Sequence, residues 1–202
     1  MQPLLDILAS GIHDAKNQLF IAESQIAARE AELHIDLSEA RYAIETAADR
    51  LSRTLTAYRL LRDDARLAVV PANIADLCDE IGLEQGKHLS AAGILLSVDC
   101  QAFDEWPLDR ELVTDMLNNA VQNAGRFAHS QVRLSAQAEQ NGLTLRVEDD
   151  GPGFSSLPPK HGIGLMVGKR LAELHIRQNR HGTLQLRNGS ALGGAIFELH
   201  LP

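Results

Sequence analysis

The sequence predicts an α+β protein in two parts: an N-terminal antiparallel helical hairpin over residues 1–66 and an α/β sandwich over residues 67–202. Three observations carry this. Residues 2–66 hold no glycine after Gly11 and no proline after Pro3, and their apolar residues recur at helical spacing. The composition shifts at Leu67-Ala68-Val69-Val70-Pro71, after which strand-like and helix-like runs alternate. The last two runs, 183–186 and 195–201, alternate apolar and polar residues as a half-buried antiparallel pair does.

The first helix is marked by Leu4, Leu5, Leu8, Ile12, Ala15, Leu19, Ala22 and Ile26. The pattern restarts after Ala31-Glu32-Leu33, with Leu37, Ile44, Leu51 and Tyr58 seven apart and Leu33, Ala40, Ala47, Leu55 and Leu61 filling the seam. That is the spacing of a coiled coil or bundle. A break within 29–36 makes a hairpin, and a two-helix hairpin has half a core. A second copy is therefore expected, giving a homodimer with a four-helix bundle. In the second part, 72–81 reads as a helix, 94–98 as a strand, and 108–127 as a helix capped by Asp109. Residues 131–136 and 143–147 read as strands and 165–174 as a helix, with 154–161 as a short mobile loop. Helices are expected on one face of the sheet.

Composition narrows the function. Aromatics make up 4% of a chain that is 45% apolar, so the core must be built from Leu, Ile, Val and Ala. A net charge of −8 without a cluster of Lys and Arg argues against nucleic acid as a partner. No apolar run reaches the length of a membrane span, and Met1-Gln2-Pro3 lacks a signal-peptide head, so a cytoplasmic protein is expected. Cys78 and Cys100 lack metal-ligand spacing and read as isolated, buried and reduced.

Four short motifs could carry chemistry. In Glu148-Asp149-Asp150-Gly151-Pro152-Gly153, an acid at a strand end precedes two glycines. Such glycines let a flat ligand approach bare backbone, though the same residues also make an ordinary turn. In Asn118-Asn119-Ala120-Val121-Gln122-Asn123-Ala124-Gly125-Arg126, Asn119 and Asn123 share a helix face beside Arg126. Their carboxamides suit Mg²⁺ shared with phosphate, with Arg126 neutralising remaining charge, but a solvated polar face has the same pattern. His161-Gly162-Ile163-Gly164 precedes a helix whose N-terminus could take an anion, and it lacks the spacing of a P-loop. His13-Asp14-Ala15-Lys16-Asn17 places an imidazole beside a carboxylate on the first helix, either a nucleophile with its proton acceptor or a solvated bundle histidine.

The order of these motifs resembles that of bacterial two-component sensor histidine kinases, over nearly the whole chain. The resemblance implies a dimerisation and histidine-phosphotransfer hairpin joined to a catalytic ATP-binding domain of the Bergerat type. It implies that His13 is the phosphoacceptor, Asp14 its acid/base partner, and Asn17 the residue holding a hydrolytic water during dephosphorylation of a cognate regulator. Asn123 and Asn119 would coordinate Mg²⁺ beside Arg126, and Asp149 would accept the adenine amino hydrogen. Gly151 and Gly153 would make room for the base, and Gly162 and Gly164 would hinge a lid over the phosphates. Related ATPases carry a water-activating Glu four residues before the metal-binding Asn. Asn119 stands there instead, so the phosphoryl group should go to His13. The implied partners are ATP with Mg²⁺ and a response-regulator receiver domain; with no sensor segment in the sequence, either a separate sensor or input protein is expected or the chain is a fragment of a longer kinase. The competing expectation is a histidine phosphotransferase or scaffold with a vestigial nucleotide domain. Departures from the family pattern are Gln18 for a common Pro, Ala195 for a common Thr, and a short lid without its usual Phe.

Overall fold

The computed structural model describes residues 2–60, 66–139, 141–157 and 163–202; side chains of 2–10, 163, 164 and several positions within 13–60 lie outside that description. The chain divides into two compact units, Met1–Arg62 and Asp63–Pro202.

In the first unit, α1 (Gln2–Leu33) packs against α2 (Ser38–Leu60) as a hairpin. His34 ends α1 at a φ of 52°, a left-handed conformation that His tolerates better than most residues. The Asp36 carboxylate accepts the Ser38 N–H at 2.9 Å and fixes the start of α2. Arg41 clasps the two helices, donating to Glu23 at 2.7 Å and Glu30 at 3.3 Å. Phe20, Ile21 and Tyr42 stay exposed on this hairpin, so part of its apolar surface is uncovered within one chain.

The second unit is a two-layer sandwich. In order it comprises β1 (Val70–Asn73), α3 (Ile74–Ala91), β2 (Leu95–Gln101), β3 (Glu105–Leu108), α4 (Arg110–Phe127), β4 (Gln131–Glu139) and β5 (Gly142–Asp149). Then follow α5 (Ile163–Leu174), β6 (Ile176–Arg177), β7 (Arg180–His181), β8 (Thr183–Asn188) and β9 (Ala195–Leu201). The main sheet has the order β2-β4-β5-β9-β8; β2 and β4 are parallel and the other pairs antiparallel. Strands β1 and β3 form a separate antiparallel pair.

Period-two alternation sorts the sheet's faces. Val132, Leu134, Leu143, Leu145, Val147 and Leu199 are buried against α3, α4 and α5, where they meet Leu77, Ile81, Val113, Leu117, Val121 and Leu171. The opposite face carries a charged ladder: Arg133 pairs in register with Glu148 and Arg146 with Glu198, and Arg187 reaches the same Glu198 diagonally at 2.6 Å. The helices lie on one face, as the sequence predicts.

Two departures have physical causes. Helix α3 is capped by Asn73, which accepts the Asp76 N–H at 3.2 Å, and runs ten residues beyond the predicted end at Ile81. Gly82, the residue after that predicted end, is a packing device: a Cβ there would lie 3.0 Å from Val98 Cγ2, so glycine lets α3 approach β2 closely. Strands β1 and β3 escape prediction because each is four residues long and contains a proline, Pro71 opposite Pro107. The cysteines also differ from expectation. Cys78 is buried but Cys100 is half-buried, and the α3–β2 packing makes them neighbours.

His175, just after α5, is buried with both ring nitrogens engaged. Nδ1 lies 2.9 Å from the Leu171 carbonyl and Nε2 accepts the Asp109 N–H at 3.1 Å, which fixes the neutral Nδ1–H form. Asp109 in turn caps α4 through the Leu112 N–H and accepts the Ala68 N–H. Burial holds the His175 imidazole below its ordinary range, against the opposing pull of the Leu171 carbonyl and the Asp109 charge. The unfolded chain therefore binds a proton that the folded chain refuses. Stability should be complete above pH ~6.5, the unfolded histidine value, and fall as pH drops from there toward the depressed folded value. We expect His175→Leu to flatten that acid limb in thermal melts. It should also lower neutral-pH stability by about 1–3 kcal/mol, because the Asp109 N–H loses its acceptor.

Candidate functional site

Strand β5 is buried except at Thr144 and Arg146, which are half-buried, and ends on Asp149, itself buried. A carboxylate in that position is tolerable only if hydrogen bonds replace water. Asp149 Oδ1 accepts the N–H of Gly151 at 2.9 Å and of Ala195 at 3.1 Å. Both bonds use the same oxygen, and among the described residues no donor reaches Oδ2. The Asp149 carbonyl accepts the Gly194 N–H at 3.0 Å and the Ser190 hydroxyl at 2.9 Å. The loop between β8 and β9 is thus wrapped around one residue.

Three glycines make this packing possible. A Cβ on Gly194 would lie 2.2 Å from Asp149 Oδ1 and 2.6 Å from the Gly151 nitrogen. A Cβ on Gly151 would lie 2.3 Å from the Phe127 carbonyl at the end of α4. Gly153 adopts a φ of 74°, and a Cβ there would meet Asn188 Oδ1 at 2.7 Å. The left-handed φ and the close contact both require glycine at 153.

Two further residues fix the loop after β5. Asp150 reaches back across the α4–β4 turn and accepts the N–H groups of His129, Ser130 and Gln131 at 2.8–3.2 Å, plus the Ser130 hydroxyl at 2.6 Å. That hydroxyl, reinforced by the backbone N–H groups, holds the Asp150 carboxyl well below the usual carboxylate range. Asn188, at the end of β8, grips Phe154 twice, accepting its N–H at 2.7 Å and donating to its carbonyl at 2.9 Å. Sequence reasoning missed Gly194, Asn188 and Asp150 as site-building residues. The one signal available was the Gly193-Gly194 pair, which lies forty-odd residues from the strand end it supports.

Helix α4 brings Asn119 and Asn123 together. The Asn123 Nδ2 donates to Asn119 Oδ1 at 3.2 Å, so the predicted shared face is real. The bond uses one hydrogen of the Asn123 amide nitrogen, and the Asn123 carboxamide oxygen takes no part in it. Arg126 is exposed in the last turn, and Phe127 follows it, an exposed residue whose backbone carbonyl lies against Gly151. Gly164 lies in the first turn of α5; Gly162 and His161 fall outside the described residues. His13, Asp14 and Asn17 lie on α1 of the other unit; Asp14 and Asn17 are exposed, and the His13 side chain is outside the description.

Gly194→Ala should force Asp149 out of its bonds. We expect about 1–3 kcal/mol of lost stability in urea unfolding, the scale of core overpacking. Gly86→Ala, where a Cβ meets nothing within 4 Å on a helix interior, should instead be neutral or stabilising by up to about 1 kcal/mol.

Comparison with known proteins agrees with this geometry. Residues 108–202 match the family described as histidine kinase-, DNA gyrase B-, and HSP90-like ATPase. The chain is 31% identical over 201 residues to the sensor protein kinase CarS of Pseudomonas aeruginosa, covering 90% of this chain and 42% of that one. It is 23% identical to the sensor protein PhoQ of Escherichia coli, covering 93% and 41%. The chain thus spans about two fifths of the length of these relatives. Among solved structures, the histidine kinase AdeS of Acinetobacter baumannii superposes with a TM-score of 0.64 at 17% identity, covering 92% of this chain and 95% of that one. Full-length ShkA in complex with AMPPNP gives 0.66 at 20% identity, covering 98% and 45%. No helix among the described residues is long and apolar enough to cross a membrane. Residues 108–202 thus belong to this ATPase family, and the sheet and helices around them are like those of the Bergerat-type catalytic domains of two-component sensor histidine kinases.

Proposed function

We propose that this chain is the core of an ATP-dependent protein-histidine kinase that phosphorylates His13 and passes the phosphoryl group to an aspartate of a response-regulator receiver domain. The observation that carries the reading is the Asp149 cradle. A buried carboxylate with one oxygen spare, walled by residues that lack Cβ atoms, fits a flat heterocycle with an exocyclic amino group. Asp149 would accept the adenine amino hydrogen, with Gly151 and Gly153 clearing the plane of the ring. Phe127, exposed at the end of α4, would offer an aromatic stacking surface.

The phosphates would extend toward α4 and the start of α5, a helix N-terminus that suits an anion, and the family resemblance makes Gly162 and Gly164 the residues that would hinge the lid. Asn123 and Asn119 fit Mg²⁺ as neutral oxygen donors, and Arg126 would take phosphate charge. Bound Mg²⁺ would draw charge from the phosphate oxygens. A His13 ring nitrogen would then attack the γ-phosphorus as the bond to the ADP oxygen breaks, and Asp14 would take the ring proton. The amide pair on α4 favours this route over hydrolysis, since Asn119 holds no charge with which to activate water. Asn17 would position water when the same hairpin dephosphorylates the receiver. The exposed Phe20, Ile21 and Tyr42 support a homodimer built through the hairpin.

Incubation with γ-labelled ATP and Mg²⁺ should give an acid-labile, base-stable label that His13→Gln abolishes. Label that survives that substitution would place the phosphoacceptor elsewhere. Asp149→Asn should weaken ATP binding about tenfold to a hundredfold in calorimetry, the worth of a hydrogen bond to a charged group, and leave the association state unchanged.

A further inference from the structure

Cys78 on α3 and Cys100 on β2 have no part in the proposed phosphoryl chemistry, yet the fold sets them side by side. Helix α3 leads through residues 92–94 into β2, so the two elements run antiparallel and pack together. Their register is fixed where the Gly82 position meets Val98 Cγ2. Four residues back along the helix is about 6 Å, and two residues on along the strand is about 6.6 Å. Cys78 and Cys100 are those positions, each on the same face as its partner in the Gly82–Val98 contact. The two thiols are neighbours, and Cys100 adds to the burial that raises the Cys78 thiol.

We propose that these residues form an oxidant-closed disulfide pair, with Cys100 taking the oxidant and Cys78 resolving it. The division of labour follows from exposure. Cys78 is fully buried, and burial pushes its thiol up to about 12, so it stays protonated and out of reach of solvent oxidants. Cys100 is half-buried on the edge strand, its Sγ 3.5 Å from the Ala102 carbonyl, and solvent can reach it.

A hydroperoxide is the class of oxidant that fits. The Cys100 sulfur attacks one peroxide oxygen, the O–O bond breaks, and the Cys100 proton leaves with the other oxygen as water, giving a sulfenic acid. The Cys78 sulfur then attacks the Cys100 sulfur, the S–O bond breaks, and the hydroxyl departs as water carrying the Cys78 proton. Two thiols and one hydrogen peroxide become one disulfide and two waters. The bridge would pin α3 to the sheet edge. Because Gln85 and Glu84 of α3 both bond to Asn118, it would also constrain the helix that carries Asn119.

The test oxidises the folded full-length chain with hydrogen peroxide and then alkylates it under denaturing conditions. Expected are the loss of two hydrogens in mass, no alkylation, and a non-reduced peptide joining Cys78 to Cys100. With Cys78→Ser, a sulfenic acid should persist at Cys100 and be trapped by dimedone. With Cys100→Ser, Cys78 should remain alkylatable after the same exposure. Over-oxidation of Cys100 with Cys78 still free, a disulfide between chains, or prior reaction of Cys78 would each overturn the proposal.

Discussion

The second unit is organised around one buried carboxylate. Desolvating Asp149 costs free energy unless N–H donors replace water, and the donors come from two loops distant in sequence. Both loops must approach more closely than a Cβ allows, which makes glycine at 151 and 194 a geometric requirement. Ser190 and Gly194 then bind the Asp149 carbonyl, so the β8–β9 connection has little freedom to move independently. The carboxylate's orientation is set by backbone, which is stiffer than any pair of side chains.

Helix α4 links that cradle to the rest of the domain through its periodicity. Val113, Leu117, Val121 and Ala124 bury one stripe against the sheet, while Asn119 and Asn123 stand on another. The helix cannot rotate to hide the amides without exposing the core stripe. Its ends are held separately: Asp109 caps the start and rests on His175, and Asp150 secures the turn after Phe127. The same residues that stabilise the fold therefore hold the amides and the strand end in a fixed relation. Little in the site depends on exposed ion pairs, which salt would weaken.

Much of this was legible in the sequence because the signals were periodic or local. The helical hairpin, α4 with its Asp109 cap, the five strands of the main sheet and the Asn119–Asn123 pairing follow from spacing alone. The β-pair of Pro71 and Pro107 was not legible, since proline contradicts strand pairing wherever it is not at an edge. Helix α3 outran its predicted end because Gly82 serves packing against Val98. Asn188 and Gly194 were hidden for a different reason. Their roles depend on a tertiary approach to Asp149 and Phe154, and no local pattern marks a residue that acts across that distance. The cysteine neighbours belong to the same class, since their pairing appears only once α3 is laid on β2.

The most direct test is a structure of the chain soaked with a non-hydrolysable ATP analogue and Mg²⁺. The account predicts the adenine amino group on Asp149 Oδ2, with the ring lying over Gly151 and Gly153. A base bound elsewhere, with Oδ2 facing only water, would contradict it.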